Sequence, residues 1–419
     1  MPDSLRAEAR RIADQLRVDS STVAESGEVI WTRPPLGEDP GGGKLSPHLY
    51  DGSMGIAVLY AALFAADGRA EDRAVVWGTI ARLRRQLKQI TADPERFAHV
   101  AFDLGALVGL GGYIYGFTLL ASLLEDDRLV NEAVAVSRLI DSQRLAADRK
   151  LDLSHGAAGA LLALDVLTDA APAASDELVE RGRACAAHLL SQRTTVEGAP
   201  GAAWPFIHGD VPLCGIAHGA SGIAYALLRL YRRTGEPELQ QAALDAFAYE
   251  DAHYDAEHAN WLDLRNPARD SFWTGWCNGA PGIGLARVKC LQLFDKRHRD
   301  RALDDLERTT AVTCSVDLET VDHPCCGGFG RADVAIDRAT VEGHLQWIDI
   351  GRSIATAMVE RARRDGGYRW SLAGAHPTMT PALLVGSAGG AYTLLRLADP
   401  ASLPSILAVE VDPVTVVDT

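Results

Sequence analysis

The sequence predicts an all-α protein built as an (α/α)7 toroid, an inner ring of seven helices wrapped by an outer ring of seven. Three observations lead there. First, a pair of glycines three residues apart recurs seven times: Gly52/Gly55, Gly109/Gly112, Gly156/Gly159, Gly219/Gly222, Gly279/Gly282, Gly327/Gly330 and Gly386/Gly389. The first glycines are separated by 57, 47, 63, 60, 48 and 59 residues, room for two helices and two loops per unit. Second, the run after each glycine pair is apolar nearly all round, so these helices need burial on both sides. Third, the segments between them, such as 176–193, 237–252 and 343–364, carry apolar residues at i, i+3, i+4 and i+7, which marks helices with one solvated face.

In chain order, MPDSLRAEARRIADQLRV reads as an amphipathic helix, with the first outer helix near residues 5–18. RPPLGEDPGGGK (33–44) reads as a Pro/Gly-rich linker. Residues 1–44 are therefore expected to be an N-terminal helix and linker, 45–405 the toroidal domain, and 406–419 a C-terminal tail. Strand signals are weak. The tail EVDPVTVVDT (410–419) has β-branched residues but is short and terminal. A glycine at each helix mouth permits tight turns and close backbone approach. Seven mouths at one end of the barrel would line a basin, although the same glycines are equally explained by close helix packing alone.

Composition excludes several classes. The formal net charge is −15 and no basic run stands out, so nucleic acid is not an expected partner. No stretch approaches 18 uninterrupted apolar residues and the N-terminus lacks an apolar core, so neither a membrane span nor a secretory signal is expected. Seven cysteines in such a long chain point to thiols or metal ligands in a reducing compartment, hence a cytoplasmic location.

Chemistry is concentrated at four mouths. TGWCNGAPG places Cys277 two residues before Gly279, and HPCCGGFG places Cys325 and Cys326 directly before Gly327. Mouths five and six are neighbours in a ring, so three thiols can converge into a zinc site with an open fourth position. The alternative is that these are ordinary buried cysteines. Cys185, Cys214, Cys290 and Cys314 fall in or near helix interiors and read as core. CGIAHGASG presents His218 at the same station, and LDLSHGAAG presents His155 there with Asp152 three residues earlier. A histidine beside a metal-bound thiol is a natural acid–base group, and a nearby aspartate could orient it or raise its pKa. Read alone, either histidine is equally a satisfied structural residue. His208, His323, His344 and His376 read as structural or surface, with His323 close enough to Cys325 to be a replacement ligand.

On IAHGASGIAYALLRL, WCNGAPGIGLARV and CCGGFGRAD, the chain resembles the LanC-like lanthionine cyclases, most closely the cyclase half of the class II (LanM-type) synthetases, from about residue 49 to 400. The resemblance implies the (α/α)7 barrel and Zn2+ held by Cys277, Cys325 and Cys326. The last of these stands where a histidine is usual, a Cys-Cys-Gly variant. Three thiolates give the site a charge of −1 where two thiolates and an imidazole give 0, which should make a bound substrate thiolate a better nucleophile. The resemblance places the acid–base histidine at His218 and the aspartate at Asp152. It also exposes two departures: Trp273 sits where some members carry Arg, and Asn278 where they carry Tyr or His.

The implied reaction is Michael-type addition of peptide Cys thiols to dehydroalanine or dehydrobutyrine. A dehydrated precursor peptide and a separate dehydratase protein or domain are the implied partners. One rival is a LanC-like zinc protein that uses another acceptor or only binds peptide. The other is a carbohydrate-active toroid, for which Asp51 and Asp152 are the nearest acidic residues to the mouths.

Overall fold

The structure, a computed structural model, describes residues 2–33, 43–209, 211–265, 271–317, 319–370 and 380–413. The chain opens with α1 (Pro2–Val18) and an antiparallel meander of β1 (Ser20–Thr22), β2 (Val29–Arg33) and β3 (Gly43–Lys44). Buried and half-solvated helices then alternate: α2 (Ser53–Asp67), α3 (Ala70–Ala92), α4 (Leu110–Leu124) and α5 (Arg128–Ser137), with a short α6 (Ser142–Ala147). They continue as α7 (Ala157–Ala170), α8 (Ser175–Ser191), α9 (Ala220–Thr234) and α10 (Pro237–Asp251). After a hairpin of β4 (Tyr254–Asp255) and β5 (Asn260–Trp261) come α11 (Ala280–Cys290), α12 (Lys296–Thr313), α13 (Gly328–Glu342), α14 (Gln346–Asp365) and α15 (Ser387–Ala398).

The seven helices that follow the glycine motifs pack side by side, α2 on α4, α4 on α7, α7 on α9, α9 on α11, α11 on α13 and α13 on α15. The ring closes where α15 meets α2. The expected toroid is therefore present. The inner position follows from composition: in α2 every residue from Met54 to Leu63 is buried, as a helix with no polar face requires. Outer helices α3, α5, α8, α10, α12 and α14 each lie on the inner helix before them. The seventh outer helix is α1, which lies on α15 and buries Leu5, Ala9, Ile12, Ala13 and Leu16 as one stripe. Polar contacts fasten it across the closure: Tyr368 Oη donates to Glu8 at 2.9 Å, and Arg10 grips Asp72 and Asp67.

Backbone hydrogen bonds stitch the seven mouths together. Two residues before each first glycine stand Tyr50, Leu107, Ser154, Ala217, Cys277, Cys325 and Leu384. Each donates its N–H to the carbonyl of the next, at 3.1, 3.3, 3.2, 3.1, 3.1 and 2.9 Å in that order, and Leu384 N–H returns to Tyr50 at 2.9 Å. The result is a closed ring of seven bonds around one end of the barrel. The glycines make room for it. A Cβ at Gly282 would sit 1.9 Å from the Trp276 carbonyl, and Gly279 has φ +139°, a conformation that strains other residues.

The space enclosed by the inner helices is filled by the end of the described chain. Tyr392, Tyr225 and Tyr115 donate their hydroxyls to the carbonyls of Pro404, Ala408 and Glu410 at 3.0, 3.0 and 2.9 Å. Lys289, on α11, pairs with Asp337 at 2.9 Å and Glu410 at 2.7 Å, and Arg396 pairs with Asp333. Of the 33–44 segment, residues 34–42 lie outside the described residues, while its ends pair as Arg33 with Gly43. The end of the tail (414–419) and His376 also lie outside them. No helix of the described residues is long and apolar enough to cross a membrane.

Candidate metal and proton-transfer site

The ring of mouth bonds decides where the thiols go. Because Cys277 N–H bonds to Cys325 O at 3.1 Å, the two loops run side by side. Cys277 Sγ lies 3.6 Å from Cys326 Sγ, which lies 3.5 Å from Cys325 Sγ, all three within 4.8 Å of one another. These are free thiols; a disulfide would bring two sulfurs to about 2.05 Å. Sulfurs about 2.3 Å from a tetrahedral zinc sit about 3.8 Å apart, so the three side chains fit that ion with one position left over. Hydrogen bonds from the Cys325 and Cys326 thiols, then the nearby charges of Arg265 and His218, hold the Cys277 thiol well below its usual range. Its neighbours move the other way: as donors to that sulfur and by burial, Cys325 is pushed up, and Cys326 up to about 12. The cluster thus accepts one negative charge readily and further ones only with a cation to balance them.

Tyr50 was not singled out by its chemistry in the sequence, although it holds the same station as Cys277 and Cys325. Its hydroxyl donates to Cys325 Sγ at 3.1 Å. His323 is buried, its pKa pushed down to about 4 by burial. Its Nδ1 accepts from Cys326 N–H at 3.4 Å, a bond that occupies that nitrogen. The other cysteines are placed as expected: Cys185, Cys214 and Cys290 are buried and Cys314 half-buried. His208 and His344 are exposed.

Mouths three and four carry the second cluster. His218 Nδ1 meets Asp152 Oδ2 at 2.8 Å, and the other oxygen of that carboxylate accepts from His155 N–H at 2.6 Å. Burial alone would lower the His218 pKa, but the hydrogen bond and charge of Asp152 outweigh it and raise the value above the usual range. His155 stacks on His218 with ring centroids 5.6 Å apart, and burial leaves its own pKa lowered. Leu151, just before Asp152, is buried with φ +63°. A left-handed leucine costs on the order of 1–2 kcal/mol, strain that the surrounding structure holds at the point that aims the carboxylate. The Ala217 N–H to Cys277 O bond places mouth four directly beside the first thiol-bearing mouth.

The two departures around Cys277 have structural correlates. Asn278 Nδ2 donates to Asp263 Oδ1 at 2.7 Å, and Asp263 holds Arg265 through bonds of 2.9 and 2.6 Å. The Arg265 guanidinium lies over the Trp273 ring, 5.3 Å from its centroid. The charge of Arg265, on the loop after the β4–β5 hairpin, therefore acts on the Cys277 thiol. Nothing in the sequence marks that influence. Beyond His155 a cleft of about 610 Å³ is lined by His48, Phe102, Asp103, Arg149, Lys150 and Ile207 among others.

Fold and site together define an α/α toroid with a three-thiol cluster and a carboxylate–histidine pair on adjacent mouths of one ring. The chain belongs to the lanthionine synthetase C-like family: it matches the profile described as "Lanthionine synthetase C-like protein" over residues 43–408. Among solved structures it is similar to nisin cyclase, with TM-score 0.55 and 13% identity, covering 83% of this chain and 88% of that one. A GH76 α-mannanase from Bacteroides thetaiotaomicron gives TM-score 0.49 at 11% identity, covering 95% of each chain. A sugar epimerase from a ruminal bacterium gives 0.47 at 11% identity, covering 75% of this chain and 98% of that one. At 13% identity the likeness to nisin cyclase is one of fold.

Proposed function

We propose that this protein is a zinc-dependent peptide cyclase that adds Cys thiols to dehydroalanine or dehydrobutyrine, closing lanthionine or methyllanthionine rings in a ribosomal precursor peptide. The observation that carries this reading is the placement of the Cys277/Cys325/Cys326 cluster beside the Asp152–His218 pair. Family membership and the likeness to nisin cyclase support it. The dehydrated peptide would come from a separate dehydratase protein or domain, and free thiols at the site suit a reducing cytoplasm.

Cys277, Cys325 and Cys326 would hold the zinc, which supplies the positive charge that turns a substrate thiol, ordinarily near pKa 8.5, into thiolate at neutral pH. The Tyr50 hydroxyl, donating to Cys325 Sγ, withdraws some charge from that sulfur. In the reaction a carbon–sulfur bond forms at the β-carbon, the carbon–carbon double bond becomes single, and the thiol proton is replaced by one delivered to the α-carbon. His218, whose protonated form the Asp152 carboxylate favours, would donate that proton. Arg265 adds positive charge on the same side, favouring the enolate before it is protonated. The sequence motifs around His218, Cys277 and Cys326 support a cyclase of the class II type, with Cys-Cys-Gly as a variant ligand set.

A second reading is that the chain adds thiols to a different acceptor or binds peptide without cyclising it. Asn278 favours it, because a carboxamide cannot act as an acid where some family members carry Tyr or His, and its amide is committed to Asp263. Carbohydrate chemistry fits less well: Asp152 is taken up by His155 and His218, and Asp51 accepts from Ser46 at 2.8 Å. Mass spectrometry of a dehydrated peptide, with free thiols alkylated after incubation, tests the proposal. Loss of alkylatable thiol with wild type, but not with Cys277→Ala, is expected. Alkylation that stays complete with zinc-loaded wild type leaves only the second reading.

A further inference from the structure

We infer that Asp152, His155 and His218 form a second divalent-cation site, separate from the thiol cluster, whose occupation shuts off proton delivery by His218. Three donors of two kinds converge there, two imidazoles and a buried carboxylate, with one ligand atom from each within 4.8 Å of the others. Donors about 2.0–2.1 Å from a tetrahedral zinc lie about 3.3 Å apart. The two imidazoles face the two oxygens of one carboxylate at distances on either side of that spacing: Asp152 Oδ2 to His218 Nδ1 is 2.8 Å and Asp152 Oδ1 to His155 Nδ1 is 4.0 Å. Seating one ion among them requires the His155 ring to move toward the carboxylate. Asp152 is pinned by the His155 backbone N–H, while both rings are about one-third exposed, so an ion can enter from the basin. Burial also favours the neutral form of His155, the form that coordinates a metal.

The donor set differs from the first site in kind. Sulfur-rich sites bind zinc tightly, whereas two imidazoles and a carboxylate are a harder set. The thiols should therefore fill first and the imidazole site only at higher free zinc. A cation there takes the place of the proton between Asp152 and His218: the ion gains a nitrogen and an oxygen, and one proton leaves to solvent. The pair can then no longer donate. The inhibitory consequence rests on His218 being the proton donor; the binding site itself does not.

The test uses the full-length chain, with zinc as the probe. Elemental analysis after equilibrium dialysis at rising free zinc should give about one ion per chain at low zinc and about two at saturation. His155→Ala and His155→Gln should each stop near one, with circular dichroism showing them folded, and Cys326→Ala should lose the tighter ion first. Excess zinc should slow peptide cyclisation by wild type about tenfold, equivalent to about 1.4 kcal/mol, and leave the rate of His155→Gln unaffected by added zinc. Saturation of wild type at one ion, or a second ion that persists in both His155 variants, overturns the site. A second ion lost in those variants but without effect on wild-type cyclisation keeps the site and overturns the inhibition.

Discussion

The Trp276 indole N–H donates to the carbonyl of Leu407 at 3.2 Å. Trp276 adjoins Cys277 at the mouth of the fifth inner helix, and Leu407 belongs to the segment that fills the barrel, so the residue next to the first thiol is tied to one 131 positions later in the chain. Removing the donor leaves a buried carbonyl without a partner, which costs about 1–3 kcal/mol. Trp276→Phe is expected to lower the urea midpoint by a corresponding amount and to speed zinc loss to a chelator. An unchanged midpoint would show that the segment is held by its apolar contacts alone.

His218 makes the pH dependence specific. Its folded pKa is raised above the unfolded value of about 6.5. The Asp152 pair therefore contributes stability that is full below about pH 6.5 and is lost as pH rises through the raised value. In Asp152→Asn only the Cys277 charge is left to oppose burial, so the His218 titration followed by NMR should move down from its wild-type value. The alkaline limb of the cyclisation rate should move to lower pH with it. His218→Asn should keep zinc and lose about 10²–10⁴ in rate. A titration that Asp152→Asn leaves unmoved would contradict the pairing.

Cys326 tests the charge of the thiol cluster. Cys326→Ala is expected to bind zinc more weakly in a chelator competition. Cys326→His restores a third ligand but makes the site neutral, so zinc should return while turnover stays below wild type. Equal turnover for Cys326→His and wild type would mean that the third thiolate adds nothing to nucleophilicity.

Tyr50 is the nearest outer partner of a thiol. Tyr50→Phe removes the hydroxyl that donates to Cys325 Sγ and keeps the ring. Partners of this kind typically change metal affinity or activity by about 10–100-fold. A cobalt-substituted protein should show a shifted sulfur-to-metal absorption band in the variant; an identical spectrum would remove Tyr50 from the site.

The repeat made the toroid legible, because the period of the glycine pairs and the switch from all-apolar to amphipathic helices are local signals. It also made the thiols and His218 legible, since register alone aligns them on neighbouring mouths. Tyr50 lay within reach of the same logic, two residues before its glycine, but its chemistry draws no notice until a sulfur stands opposite. Arg265 and the 403–411 segment were not legible. The segment's contacts join positions far apart in sequence, and nothing near either of them repeats. The paired charges inside the barrel, such as Lys289 with Asp337 and Glu410, went unseen for the same reason: a charge in an apolar helix shows its partner only once the ring has closed.

The seven-membered belt of mouth bonds holds Tyr, Leu, Ser, Ala, Cys, Cys and Leu without change of pattern, because it uses only main-chain atoms. Seats on it are therefore interchangeable, and reactivity can migrate around the rim while the scaffold stays as it is. Leu384 flanks Cys325 on one side just as Cys277 does on the other. If the three cysteines hold zinc as proposed, the aliphatic Leu384 at that seat supplies no further donor, which would leave a substrate thiol its place on the ion.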